Sequence, residues 1–106
     1  MEELKFSELQ KAIMERLATT PKFADCKTWN ALEWAGALCG EAGELANFAK
    51  KQVRGDGDKS FEIIKEAADV VIYASLLAGV LGYDLGTIVR AKFNEVSDRV
   101  NSDVRL

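Results

Sequence analysis

Histidine is absent from this 106-residue chain, and its absence removes the Glu-x-x-His motif on which di-iron helical bundles are built. Cysteine is almost as scarce. Cys26 and Cys39 stand alone, with neither metal-type nor redox-type spacing and nothing resembling a secreted disulfide framework. Reduced thiols in a cytoplasmic protein are therefore expected. There is no long apolar run: Ala67–Gly82, the most apolar stretch, contains Asp69 and is too short to span a bilayer comfortably. Met1–Lys5 carries charge where a signal peptide needs an apolar core. Positive charge is not in excess either. A net charge of −3 speaks against a nucleic-acid-binding surface, which is normally strongly basic. With one proline and glycine confined to a few places, little interrupts a helical pattern.

What is present is helical periodicity. The length fits a single domain over residues 1–106, and hydrophobic (48%) and charged (29%) residues occur in ordinary globular proportions. Phe6, Leu9, Ile13 and Leu17 recur at steps of three and four, giving a first helix over about Phe6–Leu17. Thr19–Lys27 reads as loop with one irregular turn. Thr28 is positioned to cap a second helix over about Trp29–Lys51, and the glycine- and aspartate-rich stretch 52–59 reads as a loop. Ser60 is placed to cap a third helix that runs to about Leu81, with Gly82 in the left-handed position after it. Asp84 caps a fourth over about Leu85–Val100, followed by a short polar tail expected to fray. The expected fold is all-α, a four-helix bundle-type protomer.

The third helix has almost no polar face. Ile63, Ala67, Val70, Ala74, Leu77 and Leu81 form one apolar stripe, and Ile64, Ala68, Val71, Ser75 and Ala78 a second beside it. A helix apolar nearly all round has to be covered on several sides. Four helices from one short chain cannot supply that cover, so assembly into a homodimer or homotetramer is expected.

Two carboxylate pairs interrupt this apolar pattern: Glu41-Ala-Gly-Glu44 on the second helix and Glu66-Ala-Ala-Asp69 on the third. Residues three apart share a helix face, so each pair is a fork of negative charge. The forks replace apolar members of stripes such as Trp34, Ala37, Glu41, Glu44 and Phe48. Burying such charges costs several kcal/mol per ion unless something positive compensates them. The short connecting loop makes the two helices antiparallel neighbours, so the forks can converge. Carboxylates without His or thiolate favour Mg²⁺, with Mn²⁺ as a substitute, over Zn²⁺ or Cu²⁺. Mg²⁺ keeps coordination positions open for water and phosphate, which points to phosphate-ester or anhydride chemistry. A calcium-loop reading of Asp56, Asp58 and Ser60 fails, because Phe61 and Ala67 occupy the positions that require Gly and Glu. Gly36, Gly40 and Gly43 weaken the second helix and suggest close packing or room for a ligand. Lys50, Lys51 and Arg54 follow the first fork, while Lys92 and Arg99 share a face of the fourth helix. Trp34, Phe48 and Tyr73 lie on the carboxylate stripes.

The segments Leu38-Cys39-Gly40-Glu41-Ala42-Gly43-Glu44-Leu45-Ala46 and Glu66-Ala67-Ala68-Asp69-Val70-Val71-Ile72-Tyr73 resemble the MazG-like all-α nucleoside triphosphate pyrophosphohydrolases. That superfamily includes the dCTP pyrophosphatases and dimeric dUTPases. The likeness runs from about Trp34 to Arg99, with Gly40 standing where the family pattern Glu-Glu-x-x-Glu has its first Glu, a form that also resembles the dCTP-pyrophosphatase and phage-type branches. The resemblance implies Mg²⁺ ligation by Glu41, Glu44, Glu66 and Asp69. It also implies hydrolysis of a (deoxy)nucleoside triphosphate to the monophosphate and pyrophosphate, in nucleotide-pool cleansing or dNTP balance. Tyr73, Lys92 and Arg99 match positions that line the nucleotide site in relatives; Lys51 and Trp34 are further substrate-binding candidates. Members are dimers or tetramers with sites near subunit contacts. Phosphoribosyl-ATP pyrophosphohydrolase shares the chemistry, and a non-catalytic metal-binding dimerisation module is the alternative of a different class. The motifs do not set base or sugar preference, to which the segment before Trp34 is expected to contribute.

Overall fold

The computed structural model describes residues 2–106, leaving only Met1 outside. Those residues form four α-helices, α1 (Phe6–Thr19), α2 (Ala31–Arg54), α3 (Ser60–Val80) and α4 (Leu85–Arg99), and no strand. A short 3₁₀ turn, Pro21–Phe23, opens the connection from α1 to α2. The chain is an all-α bundle, and no helix of the described residues is long and apolar enough to cross a membrane.

Helix ends follow local side-chain chemistry. Asn30, rather than Thr28, caps α2. Its side chain accepts from the Glu33 backbone N–H at 2.9 Å, and the Glu33 carboxylate returns a bond to the Asn30 N–H at 3.2 Å. This reciprocal box satisfies two donors at once, which a cap at Thr28 would not. α2 continues to Arg54 and ends where Gly55 adopts φ 97° and the Asp56 N–H reaches back to Lys51 O. The following loop is therefore shorter than expected, residues 55–59. Ser60 does not act as a cap. Its N–H is taken by Asp58 Oδ1 at 2.9 Å, while Gln52 Oε1 accepts from Lys59 N–H at 2.7 Å. Asp84 caps α4 by accepting from the Thr87 N–H. The tail does not fray: Asn94 exchanges hydrogen bonds with the backbone of Leu106, and Ser97 Oγ donates to Val104 O at 2.7 Å.

Helix α3 is the spine. It lies along α2 over much of its length and also touches α1 and α4. The core is small, made of Ile13 and Leu17 from α1, Trp34 from α2 and Leu76 from α3, with Leu9, Met14 and Ile72 packed on it. Gln10 ties α1 to the α3–α4 turn. Its amide donates to Tyr83 O at 2.6 Å and accepts from Leu85 N–H at 3.0 Å.

Much apolar surface stays uncovered. On α3, Phe61, Ile64 and Val71 are exposed, as are Leu32 and Val53 on α2. No neighbour comes within 4 Å of where a Cβ would stand at Gly36, Gly40 or Gly43. These glycines thus face open space and are not packed against another helix of the same chain. The chain exposes 7782 Å², whereas a compact protein of 11.7 kDa exposes about 5,900 Å². Its Cα radius of gyration, 16.2 Å, exceeds the roughly 13 Å of a compact domain this long.

Candidate metal centre

The tight α2–α3 turn brings the two carboxylate forks face to face. Glu41, Glu66 and Asp69 each present an oxygen within 4.8 Å of the others, and all three are partly buried. A hard cation bound about 2.1 Å from each oxygen separates opposite ligands by about 4.2 Å, so the span suits Mg²⁺ or Mn²⁺. Glu44, one turn further along α2, is exposed and stands outside that trio. Its carboxyl still reaches Glu66 with a hydrogen bond.

The electrostatics of Glu66 report this crowding. Its pKa is raised, first by a hydrogen bond with Glu41 that holds a proton between the two carboxyls, then by burial, then by repulsion from Glu41, with Asp69 adding to it. The bond with Glu44 pulls the other way. Glu66 Oε2 is closed to water and has no hydrogen-bond partner. A buried carboxylate oxygen without a donor is expensive, and no lysine or arginine is among the groups that set the Glu66 pKa. Three converging oxygens, one of them orphaned, are a donor set that fits a divalent cation.

Tyr73 stands one turn after Asp69. Its hydroxyl pKa is raised by burial and then by the negative charges of Glu41 and Asp69, which places it beside the cluster. Trp34 is not at the carboxylates. It lies in the core, 4.8 Å from Trp29 and 6.2 Å from Tyr73 between ring centroids. Lys51 sits on α2 beyond the forks, with its ammonium 5.6 Å from the Phe48 ring centre. Within one chain Lys92 and Arg99 do not join the cluster. Both are exposed on α4, and Lys92 pairs with Glu95 at 3.3 Å.

A cavity of about 290 Å³ opens next to the cluster and shares Asp69 and Tyr73 with it. The opposite side comes from Arg16 on α1 and from Phe23, Cys26 and Trp29 in the α1–α2 connection. None of these four was singled out from sequence. The only signal is two aromatic residues in a short stretch otherwise read as loop.

Comparison with known families, characterised proteins and solved structures returns no match.

Proposed function

We propose that the chain is a Mg²⁺-dependent nucleoside triphosphate pyrophosphohydrolase of the MazG-like all-α type, cleaving (deoxy)nucleoside triphosphates to the monophosphate and pyrophosphate. The observation that carries this reading is the convergence of Glu41, Glu66 and Asp69 across α2 and α3, with Glu44 alongside. These are the residues to which the resemblance of the two motifs assigns metal ligation.

The three converging carboxylates would hold the ion, which supplies charge neutralisation on the phosphate oxygens and a more acidic water. Glu44, exposed and hydrogen-bonded to Glu66, is placed to accept a proton from the attacking water. Attack on phosphorus breaks the α–β anhydride bond, and pyrophosphate leaves with the bridging oxygen. Tyr73, at the edge of the cluster, offers a hydroxyl donor to the substrate.

We also propose that the working form is a homodimer or homotetramer. The surface in excess of a compact monomer, about 1,900 Å², is ample for an interface that takes about 800 Å² from each partner. A phosphate-binding role for Lys92 and Arg99 belongs with this assembly, because one chain does not bring them to its own carboxylates.

The test is pyrophosphate release from a panel of NTPs, dNTPs and phosphoribosyl-ATP with and without Mg²⁺. Turnover of a nucleoside triphosphate is expected. Turnover of phosphoribosyl-ATP alone would move the assignment to that reaction, and none at all with the fold intact would leave a non-catalytic module. Asp69→Asn and Glu44→Gln are expected to lower turnover at least 100-fold, the scale of a lost electrostatic or acid–base contribution, with unchanged helicity by circular dichroism. Full activity in either variant would overturn its assignment.

A further inference from the structure

The cavity beside Asp69 is not needed to hold a metal ion, and its walls differ in kind from the carboxylate cluster. Phe23, Trp29, Trp34 and Tyr73 give it aromatic faces from three separate parts of the chain. The rings are tilted against one another, by 56° between Trp29 and Trp34 and 39° between Trp34 and Tyr73. Such faces stack on flat heteroaromatic rings whatever the ring's hydrogen-bonding edge. At about 290 Å³ the cavity lies at the small end of ligand pockets, which run from about 300 Å³ upward.

Two further observations single this cavity out. Trp34 is only 3% exposed, and its indole N–H is closed to water and has no acceptor. Buried donors are nearly always paired, and one left alone calls for an explanation. A ring nitrogen or carbonyl oxygen on a ligand would pair it after a small adjustment of the cavity lining. The connection that carries Phe23 and Trp29 is also an ordered wall. Successive turn bonds hold it, including Phe23 N–H to Thr20 O at 2.9 Å, Lys27 N–H to Phe23 O at 2.9 Å and Trp29 N–H to Cys26 O at 2.9 Å.

We infer that this cavity seats the base of the nucleotide, between the α1–α2 connection and Tyr73, and that Phe23, Trp29 and Trp34 select which base is taken. The identity of the ligand as a nucleotide rests on the pyrophosphohydrolase reading. Because Asp69 belongs to both features, a ring in the cavity directs its phosphates toward Glu41 and Glu66. Base recognition then comes from a part of the chain separate from the metal-binding motifs.

Both tryptophans of the chain line the cavity, so intrinsic emission excited at 295 nm reports on it directly. The full chain is titrated in EDTA with cytidine, uridine, adenosine and guanosine, and with inorganic tripolyphosphate as the base-free probe. At least one nucleoside is expected to quench emission saturably, while tripolyphosphate leaves it unchanged. Trp34→Phe keeps an aromatic ring but removes the N–H, and should weaken binding of that nucleoside about tenfold, the scale of one lost hydrogen bond. Quenching from Trp29 still reports binding in that variant. If triphosphates are hydrolysed but no nucleoside binds at millimolar concentration, the base site is wrong and the reaction stands. If a nucleoside binds and no triphosphate is cleaved, the cavity is a base site and the pyrophosphohydrolase reading falls. Undiminished binding by Trp34→Phe would remove the indole N–H from the recognition.

Discussion

Glu66 carries a raised pKa because it shares a proton with Glu41 in a partly buried, crowded setting. The sign of its effect on stability follows directly. A carboxyl whose folded-state pKa lies above its unfolded value binds its proton more tightly in the fold. Its contribution is present below the ordinary value of 4.5 and is lost as pH rises through the raised folded value. At neutral pH without cation, the ionised cluster therefore works against folding. Glu66→Gln should raise the melting temperature of the metal-free protein at pH 7 and flatten its dependence on pH just above 4.5. The same substitution should diminish the stabilisation that Mg²⁺ gives the parent protein, which reaches about 2.7 kcal/mol at 100 times the dissociation constant. Differential scanning fluorimetry with a Mg²⁺ titration measures both effects. A metal-free Glu66→Gln variant less stable than the parent would show that the carboxylate is held by something favourable. The spacing of Glu41, Glu44, Glu66 and Asp69 made this cluster legible in the sequence, because three residues along a helix always returns to the same face. The unequal standing of the four was not legible. That Glu44 is exposed while Glu66 is partly buried depends on how α2 and α3 rotate about their axes.

Among the elements, the four helices could be read from periodicity, and the ends could be read only where one cap signal stood alone. Asp84 and Gly82 had no competitor and were found. At the start of α2, Thr28 and Asn30 are both good cap residues. The choice is decided by Glu33, which completes a box only with Asn30. Asn30→Ala should cost about 1 kcal/mol, seen as a lower urea midpoint with an unchanged slope. A matching loss in Thr28→Ala would mean that α2 is held at both positions. Asp84 gives an acid-range counterpart. The Thr87 side chain and then its backbone N–H hold the Asp84 pKa below 3.8. Its support for α4 is therefore present above the unfolded value and is lost as pH falls through the lowered folded one. Asp58, held by Ser60, titrates in the same direction. Asp84→Asn keeps a capping side chain without a titrating proton, so its unfolding curve should lose less stability than the parent's between about pH 4 and pH 2. An equal loss in both proteins would assign the acid sensitivity to Asp58 or to other carboxylates. The aromatic cavity lay beyond this kind of reading. Its walls come from α1, the α1–α2 connection and α3, and no local pattern records which distant segments a fold brings together.

At the scale of the whole molecule, the chain folds without hiding its own spine. Ile64, Ala68 and Val71 fall at steps of four and three along α3, and all three are exposed. Phe61, 74% exposed, continues the row one turn earlier. Exposed apolar surface so contiguous is unusual for a monomer. The large accessible area and radius of gyration place it in a molecule more open than its length requires. A second copy packing on this row would bury it by the same ridge-and-groove logic that joins α2 to α3. It would also stiffen α3, the helix that positions Glu66 and Asp69. Light scattering after size exclusion should therefore give at least twice the chain mass at micromolar concentration. The double substitution Ile64→Glu, Val71→Glu places like charges opposite each other in a two-fold contact, and should yield a monomer with a lower melting temperature. A variant that keeps the parental mass would move the contact to the other apolar groove, where Leu38 and Leu77 face Ile88, and Ile88→Glu would then be the dissociating change. If both variants and the parent run as monomers, the surplus surface is not an interface between copies, and Lys92 and Arg99 lose their route to the carboxylates.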